Sequence, residues 1–263
     1  MKKDVLLLGL SIIAAFSGSS ASAQSDLFFT TEATFLKYHR SAGSQVGDGP
    51  GDVVNFDLDF SPRFTLGASN ANGTGARVRF WDFDHNAGST DSLGSIDVQA
   101  QTIDFEVFNR IKLSDYSRAE LSVGLRRAEF SEVLRDGGDI AANRFTGVGA
   151  IFGASIRRDF GPGAIRATGR FSIMMDDKSI LDDSDGPTTH NDSIVSVAEM
   201  GIHYEVSREI GRTLWTGSLG TEWQKWTNFT EGHDIADDDS LDFRGGGGDV
   251  GFVGAVAGLT IAY

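Results

Sequence analysis

Residues 249–263, DVGFVGAVAGLTIAY, alternate without a break. Val253, Ala255, Ala257, Leu259, Ile261 and Tyr263 fall on one face of an extended chain. Phe252, Gly254, Val256, Gly258 and Thr260 fall on the other. Side chains divide in this way, with a period of two, along a β-strand. A strand with one apolar face and one small-residue face needs neighbours that share the division. Whatever precedes it must supply them.

Period-two alternation bounded by turn residues predicts ten strands, at 27–39, 53–69, 75–85, 97–112, 118–130, 145–159, 164–175, 194–207, 212–226 and 249–263. Tight turns fall at 70–74, 113–117, 161–163 and 208–211, and longer polar loops at 40–52, 86–96, 131–144, 176–193 and 227–248. An even strand count, with short connections on one side and long ones on the other, is the layout of bacterial outer-membrane barrels. The expected fold is therefore all-β, a transmembrane antiparallel up-and-down barrel of about ten strands. Its short turns would be periplasmic and its long loops external. A closing strand that ends on an aromatic residue, as at Tyr263, resembles the last strand of such barrels and is expected to be read by the barrel-assembly machinery.

The other end fits export. Met1-Lys2-Lys3-Asp4 precedes an apolar run, Val5–Phe16, and small residues lead to Ala21-Ser22-Ala23. This is the layout of a signal peptide, expected at 1–23, with the barrel at 24–263. The apolar run has twelve residues, short of the roughly 20 a spanning helix needs. The sequence has no cysteine, so disulfide-stapled scaffolds are excluded. Removing Lys2, Lys3 and Asp4 leaves 21 bases against 36 acids, a net charge of −15. That balance argues against nucleic acid as a partner.

The alternation does not by itself say which face is outside, because a soluble barrel reverses the polarity of a membrane one. The residues on the faces are more informative. One face carries Val54, Phe56, Leu58, Phe60, Phe64 and Leu66, then Ile103, Phe105 and Val107, then Leu121, Val123 and Leu125. It continues with Ala150, Phe152, Ala154 and Ile156, and with Ala198, Met200, Ile202 and Tyr204. Its charges, Asp82, Arg127, Arg158 and Lys225, lie near strand ends. Tyr204, Trp215 and Tyr263 fall at the short-turn end and Trp223 at the long-loop end, as interfacial aromatics would. Outer-membrane lipid is the expected partner of this face.

The opposite face carries charges of both signs. Centring each hairpin on its loop sets Arg77 against Glu106, Arg79 against Asp104, Asp104 against Arg126, and Arg110 against Glu120. It also brings Glu120 level with Arg157, Arg170 to Glu199, and Arg166 near Glu205. Arg157 and Arg166 fall opposite each other, which neighbouring acids must offset. The expected pore-lining residues are Arg77, Arg79, Asp104, Glu106, Glu120, Arg126, Arg157, Arg166, Arg170 and Glu199. A barrel of about 8 strands is nearly filled by side chains, and one of about 16 is open. Ten strands predict a narrow interior, with Gly147, Gly149, Gly153, Gly220, Gly254 and Gly258 recovering some width.

Three stretches together, GARVRFWDFDH at 75–85, IDFEVFNRIKLSDYSRAELSVGLRRAEF at 103–130 and the closing VGFVGAVAGLTIAY, resemble the Legionella-type pore-forming outer-membrane protein family, of major-outer-membrane-protein character. The resemblance implies a pore-forming barrel in the outer membrane and brings no catalytic signature or cofactor with it. Small solutes or ions are the partners it implies. The competing reading is a non-conducting structural or surface-interaction barrel that acts through acidic external loops.

Two constellations hint at other chemistry. Asp176, Asp177, Asp182, Asp183 and Asp185 cluster in one predicted loop, and Asp234, Asp237, Asp238, Asp239 and Asp242 in another. Neither has the spacing of an EF-hand, so no metal site is expected. Asp82, Asp84 and His85 at a strand end, with His233-Asp234 in the last loop, supply the residue types that activate water. With no GxSxG, no HExxH and no thiol, the expectation is that the protein is not an enzyme.

Overall fold

The computed structural model describes residues 26–40, 55–88, 94–136, 139–182, 186–228 and 249–263. They form ten strands: β1 (Asp26–Arg40), β2 (Asp59–Ser69), β3 (Thr74–Gly88), β4 (Ser95–Ser114), β5 (Ser117–Asp136), β6 (Asp139–Phe160), β7 (Gly163–Asp182), β8 (Gly186–Ile210), β9 (Thr213–Thr227) and β10 (Val250–Ala262). Each strand pairs antiparallel with the next, and β10 returns to β1, so the sheet closes. The expected up-and-down barrel is the observed fold. Closure removes the unpaired edge that an open sheet would present.

The turns at one end have the chemistry that two-residue hairpins demand. Gly161 and Gly211 open the loops after β6 and β8 with φ of 56° and 66°. Positive φ at the first central position is what a II′ hairpin needs, and its twist matches that of the flanking strands. After β2, Asn70 caps its own turn: its side-chain oxygen accepts the backbone N–H groups of Asn72 at 3.0 Å and Thr74 at 3.1 Å.

Several boundaries differ from expectation. Strand β5 runs on to Asp136 and β6 begins at Asp139, while β7 runs to Asp182 and β8 begins at Gly186. Most of the predicted loops at 131–144 and 176–193 is therefore strand. Strand β2 starts at Asp59, and Phe56 before it turns inward and packs on Tyr38 with ring centroids 4.9 Å apart. Val54 lies outside the described residues.

Strands β4 to β8 have 20 to 25 residues, about twice the 9–11 that cross a bilayer. The surplus changes the wall halfway up. In the short-turn half the outer face is apolar, and Phe64, Phe105, Leu125, Phe152, Met200, Ile202 and Leu219 are all exposed. Farther along the same outward positions, the residues become Asp82 on β3, Gln101 and Gln99 on β4, Arg127 and Glu129 on β5, and Lys225 on β9. The inner face changes at the same height. Arg79 gives way to Trp81 on β3, Asp104 to Ala100 on β4, and Arg126 to Phe130 on β5.

The long-loop half therefore holds the hydrophobic core. Tyr38, Phe56, Trp81, Phe83, Phe130, Phe145, Trp226 and Phe252 fill it, together with Leu36, Ile96, Val98, Met174 and Val197. Phe252 sits among the rings of Phe83 (4.8 Å), Trp81 (5.4 Å) and Tyr38 (5.5 Å). Edge-on arrangements at such spacings each add about 0.5–1.5 kcal/mol to plain burial.

Candidate functional site

The interior of the short-turn half is where charge collects, and strand alternation puts it there. Asp104 and Glu106 are separated by one outward residue on β4, as are Arg77 and Arg79 on β3. The register then fixes who meets whom. Arg77 lies opposite Glu106, Arg79 opposite Asp104, Asp104 opposite Arg126, Arg110 opposite Glu120, and Arg170 opposite Glu199. All ten predicted pore-lining residues are on the inner wall.

Side chains go beyond these neighbours. Arg126 grips Asp104 with two parallel hydrogen bonds, Nε to Oδ1 at 2.7 Å and Nη2 to Oδ2 at 2.9 Å. Its Nη2 also lies 2.5 Å from Glu199. Arg170 on β7 reaches across the lumen to β4, meeting Asp104 at 2.6 Å and Glu106 at 2.5 Å, and holds Glu199 on β8 at 3.1 Å. Arg77 joins Glu106 at 2.8 Å to Glu120 at 2.5 Å, and Arg110 donates to Glu120 at 3.1 Å. The bridges from β7 to β4 and from β5 to β8 each join strands three apart across the lumen and narrow it at this level.

Two smaller clusters complete the wall. Arg157 and Arg166 are opposite each other in register. Glu205 sits between them, accepting from Arg157 Nε at 2.8 Å and Arg166 Nε at 2.5 Å. One carboxylate thus offsets the like-charge pair. Arg63 on β2 holds Glu222 on β9 through both terminal nitrogens at 2.5 Å, with Glu32 of β1 at 3.4 Å.

Two expected contacts are corrected. Glu120 is level with Ser155, while Arg157 faces Arg118, because the β5–β6 register is two residues away from the centred one. Arg79 stands opposite Asp104 in register, yet both oxygens of Asp104 are taken by Arg126 and Arg170. Along the cavity wall and the network above it, Glu32, Asp104, Glu106, Glu120, Asp159, Glu199, Glu205 and Glu222 meet Arg63, Arg77, Arg79, Arg110, Arg126, Arg157, Arg166 and Arg170. Every one of these arginines but Arg79 holds a carboxylate among the described residues.

A cavity of about 720 Å³ opens from the short-turn end, lined by Phe28, Arg63, Arg77, Arg79, Arg166, Arg170, His203 and Thr260 among others. At its rim Arg110 lies over the rings of Phe108 (4.9 Å) and Phe28 (5.4 Å), a favourable placement for a cation. Above the cavity come the ion-pair network and then the aromatic core. The expected widening by glycines fails at Gly147 and Gly254, while Gly153 does line the cavity. The ring of Phe145 occupies the space a side chain at Gly147 would need, and a methyl group at Gly254 would sit 1.8 Å from the carbonyl oxygen of Phe35. Those glycines admit neighbours, leaving no added width.

The sequence reading missed Arg63, Glu32 and Glu222 as a unit. The signal was present, since Arg63 is the lone cation on the small polar face of β2, but Glu222 lies three strand pairings away, across the β1–β10 closure, where hairpin centring does not reach. It also missed Glu132, buried in the aromatic half and held by Tyr38 Oη at 3.0 Å and Arg40 at 3.2 Å. The suspected Asp82, Asp84 and His85 do not converge. Asp82 and Asp84 point outward, while His85 points inward and pairs with Asp59 at 2.7 Å. His233 and Asp234, like the second acidic cluster and Asp183 and Asp185, lie outside the described residues.

No protein-family model matches the chain, and no curated protein sequence does. Solved structures do. The outer membrane protease OmpT from Escherichia coli superposes with a TM-score of 0.61 at 10% identity, over 94% of this chain and 100% of that one. The translocator domain of the autotransporter NalP from Neisseria meningitidis gives 0.48 at 11% identity, over 100% and 95%. The Ralstonia pickettii toluene transporter TbuX gives 0.37 at 8%, over 92% and 90%. The first comparison corrects the expectation that the protein is not an enzyme, because this barrel is also the scaffold of a protease and the fold does not argue against catalysis. What the chain shares with the protease is the fold, a β-barrel of the kind found in bacterial outer-membrane proteins.

Proposed function

We propose that the protein is an exported outer-membrane barrel of the pore-forming kind, closed at rest, that passes small solutes or ions through a narrow charge-lined interior. The observation that carries this reading is the cavity of about 720 Å³ open at the short-turn end. It leads inward to an ion-pair network and stops beneath an aromatic layer. Side chains alone close the path, so their rearrangement opens it. The exposed apolar belt on the short-turn half supports placement in lipid, and the resemblance of 75–85, 103–130 and the closing strand to pore-forming outer-membrane proteins supports the same reading.

Planar-bilayer recording of the refolded protein tests it. Brief, small conductance steps are expected from the wild type. A Phe83→Ala/Phe252→Ala variant, which thins the aromatic layer, should open several-fold more often. Asp104→Asn with Glu106→Gln should move the reversal potential toward anion preference. Silence from both the wild type and the aromatic variant, once insertion is verified, sinks the pore.

One observation favours a second reading, a non-conducting structural or surface-interaction barrel. Arg170 ties three carboxylates on two other strands together across the lumen, which is what a permanent crosslink would do. The same silent recording would leave this reading standing.

A further inference from the structure

We infer that the floor of the short-turn cavity is a binding site for a small oxyanion, a carboxylate or a phosphate, and that Arg79 is its principal cation. The ion-pair arrangement leaves Arg79 over. Its guanidinium lies on the cavity wall without an ion pair or hydrogen bond among the described residues, and its register partner Asp104 is saturated by Arg126 and Arg170. Its other register neighbour is Thr65, which is uncharged. The guanidiniums of Arg170 and Arg63 repel it, while Glu199 and Glu32 attract it without an ion pair.

A second observation points the same way. Arg63 is 1% exposed, lines the same cavity and leaves its Nε without a partner, and Arg170 does likewise. Buried donors of this kind are nearly always satisfied. The terminal nitrogens of Arg63 and Arg170 are spent on carboxylates, while Arg79 on the same wall keeps its guanidinium unpaired among the described residues. Guanidinium groups match planar or tetrahedral oxyanions with paired hydrogen bonds. An oxyanion entering from the short-turn end would supply the partner that Arg79 lacks among the described residues. The inference does not depend on conduction, since a barrel that is silent in bilayers would still bind.

Calorimetric titration of the refolded protein in neutral detergent tests it, using inorganic phosphate and acetate at low salt against chloride at matched ionic strength. Saturable binding of at least one of the two is expected, weakened tenfold or more in Arg79→Gln and partly restored in Arg79→Lys. Phosphate without acetate would assign the site to phosphoryl groups; both together would assign it to oxyanions in general. Thr65→Glu sets a carboxylate opposite Arg79 in register and should abolish binding while raising the melting temperature. Heat-shifted electrophoretic mobility reports that each variant is folded. The inference is overturned if the folded wild type binds neither anion, or if Arg79→Gln and Thr65→Glu bind as the wild type does.

Discussion

On one side of the level of Arg79 and Arg126, the barrel is apolar outside and charged inside. On the other side it is polar outside and aromatic inside. The backbone pairing continues through the change: β5 and β6 stay in unbroken register from Arg118 opposite Arg157 up to Asp136 opposite Asp139. One sheet thus solves two solvation problems. Facing lipid, it turns its charges inward and must neutralise them there. Facing water, it turns its rings inward and packs an ordinary core. The two halves should accordingly tolerate opposite substitutions.

The largest effect is expected from Arg170→Met, which strips one of two cations from each of Asp104, Glu106 and Glu199 at once. Breaking a buried ion pair from one side costs about 3–5 kcal/mol, to be read from the urea midpoint of the folded barrel in lipid vesicles. An unchanged midpoint would mean that the lumen carboxylates are hydrated and that the charged half is wetter than its geometry implies. Val123→Arg comes next, on the outer face of the short-turn half, where Val123 is 46% exposed. A cation at mid-depth in lipid costs about 2–4 kcal/mol. The smallest effect belongs to Ser131→Arg, on the same face of the same strand but eight residues farther along. A water-exposed position should respond within about 0.5 kcal/mol. Equal penalties at residues 123 and 131, measured by the same vesicle unfolding titration, would break the division between the halves.

The sequence made the short-turn half easy to read and the long-loop half hard, and the halves explain why. In lipid, the contrast between Leu121-Val123-Leu125 and Glu120-Ser122-Arg126 is as large as side chains allow, so the alternation stands out and even the charge pairs can be registered from it. Beyond the belt the contrast shrinks. Thr188, Thr189 and His190 are polar on both faces of β8, and Ser179 lies opposite Thr189, so a true strand reads as a polar loop. The inversion itself was also hidden. Asp82 and Lys225 look like charges placed at strand ends for safety, whereas β3 continues through six further residues to Gly88. Arg63 and Glu222 were invisible as a pair for a different reason. Local hairpins announce themselves through their turns, and a pairing between the first and last strands has none.

That closure has a consequence in time. Nine of the ten strand pairings join neighbours in sequence and can form as each hairpin appears, but β1 meets β10 across more than two hundred residues, as in the hydrogen bond between Thr30 and Thr260 at 2.8 Å. Bringing such distant segments together is the slow part of forming a sheet. Until it happens, the nascent barrel is a curved ribbon with two raw edges. Arg63 on β2 and Glu222 on β9 are then on opposite flanks of the gap, and their double hydrogen bond forms only when the ribbon shuts. The pair works as a latch, one whose engagement marks the end of assembly.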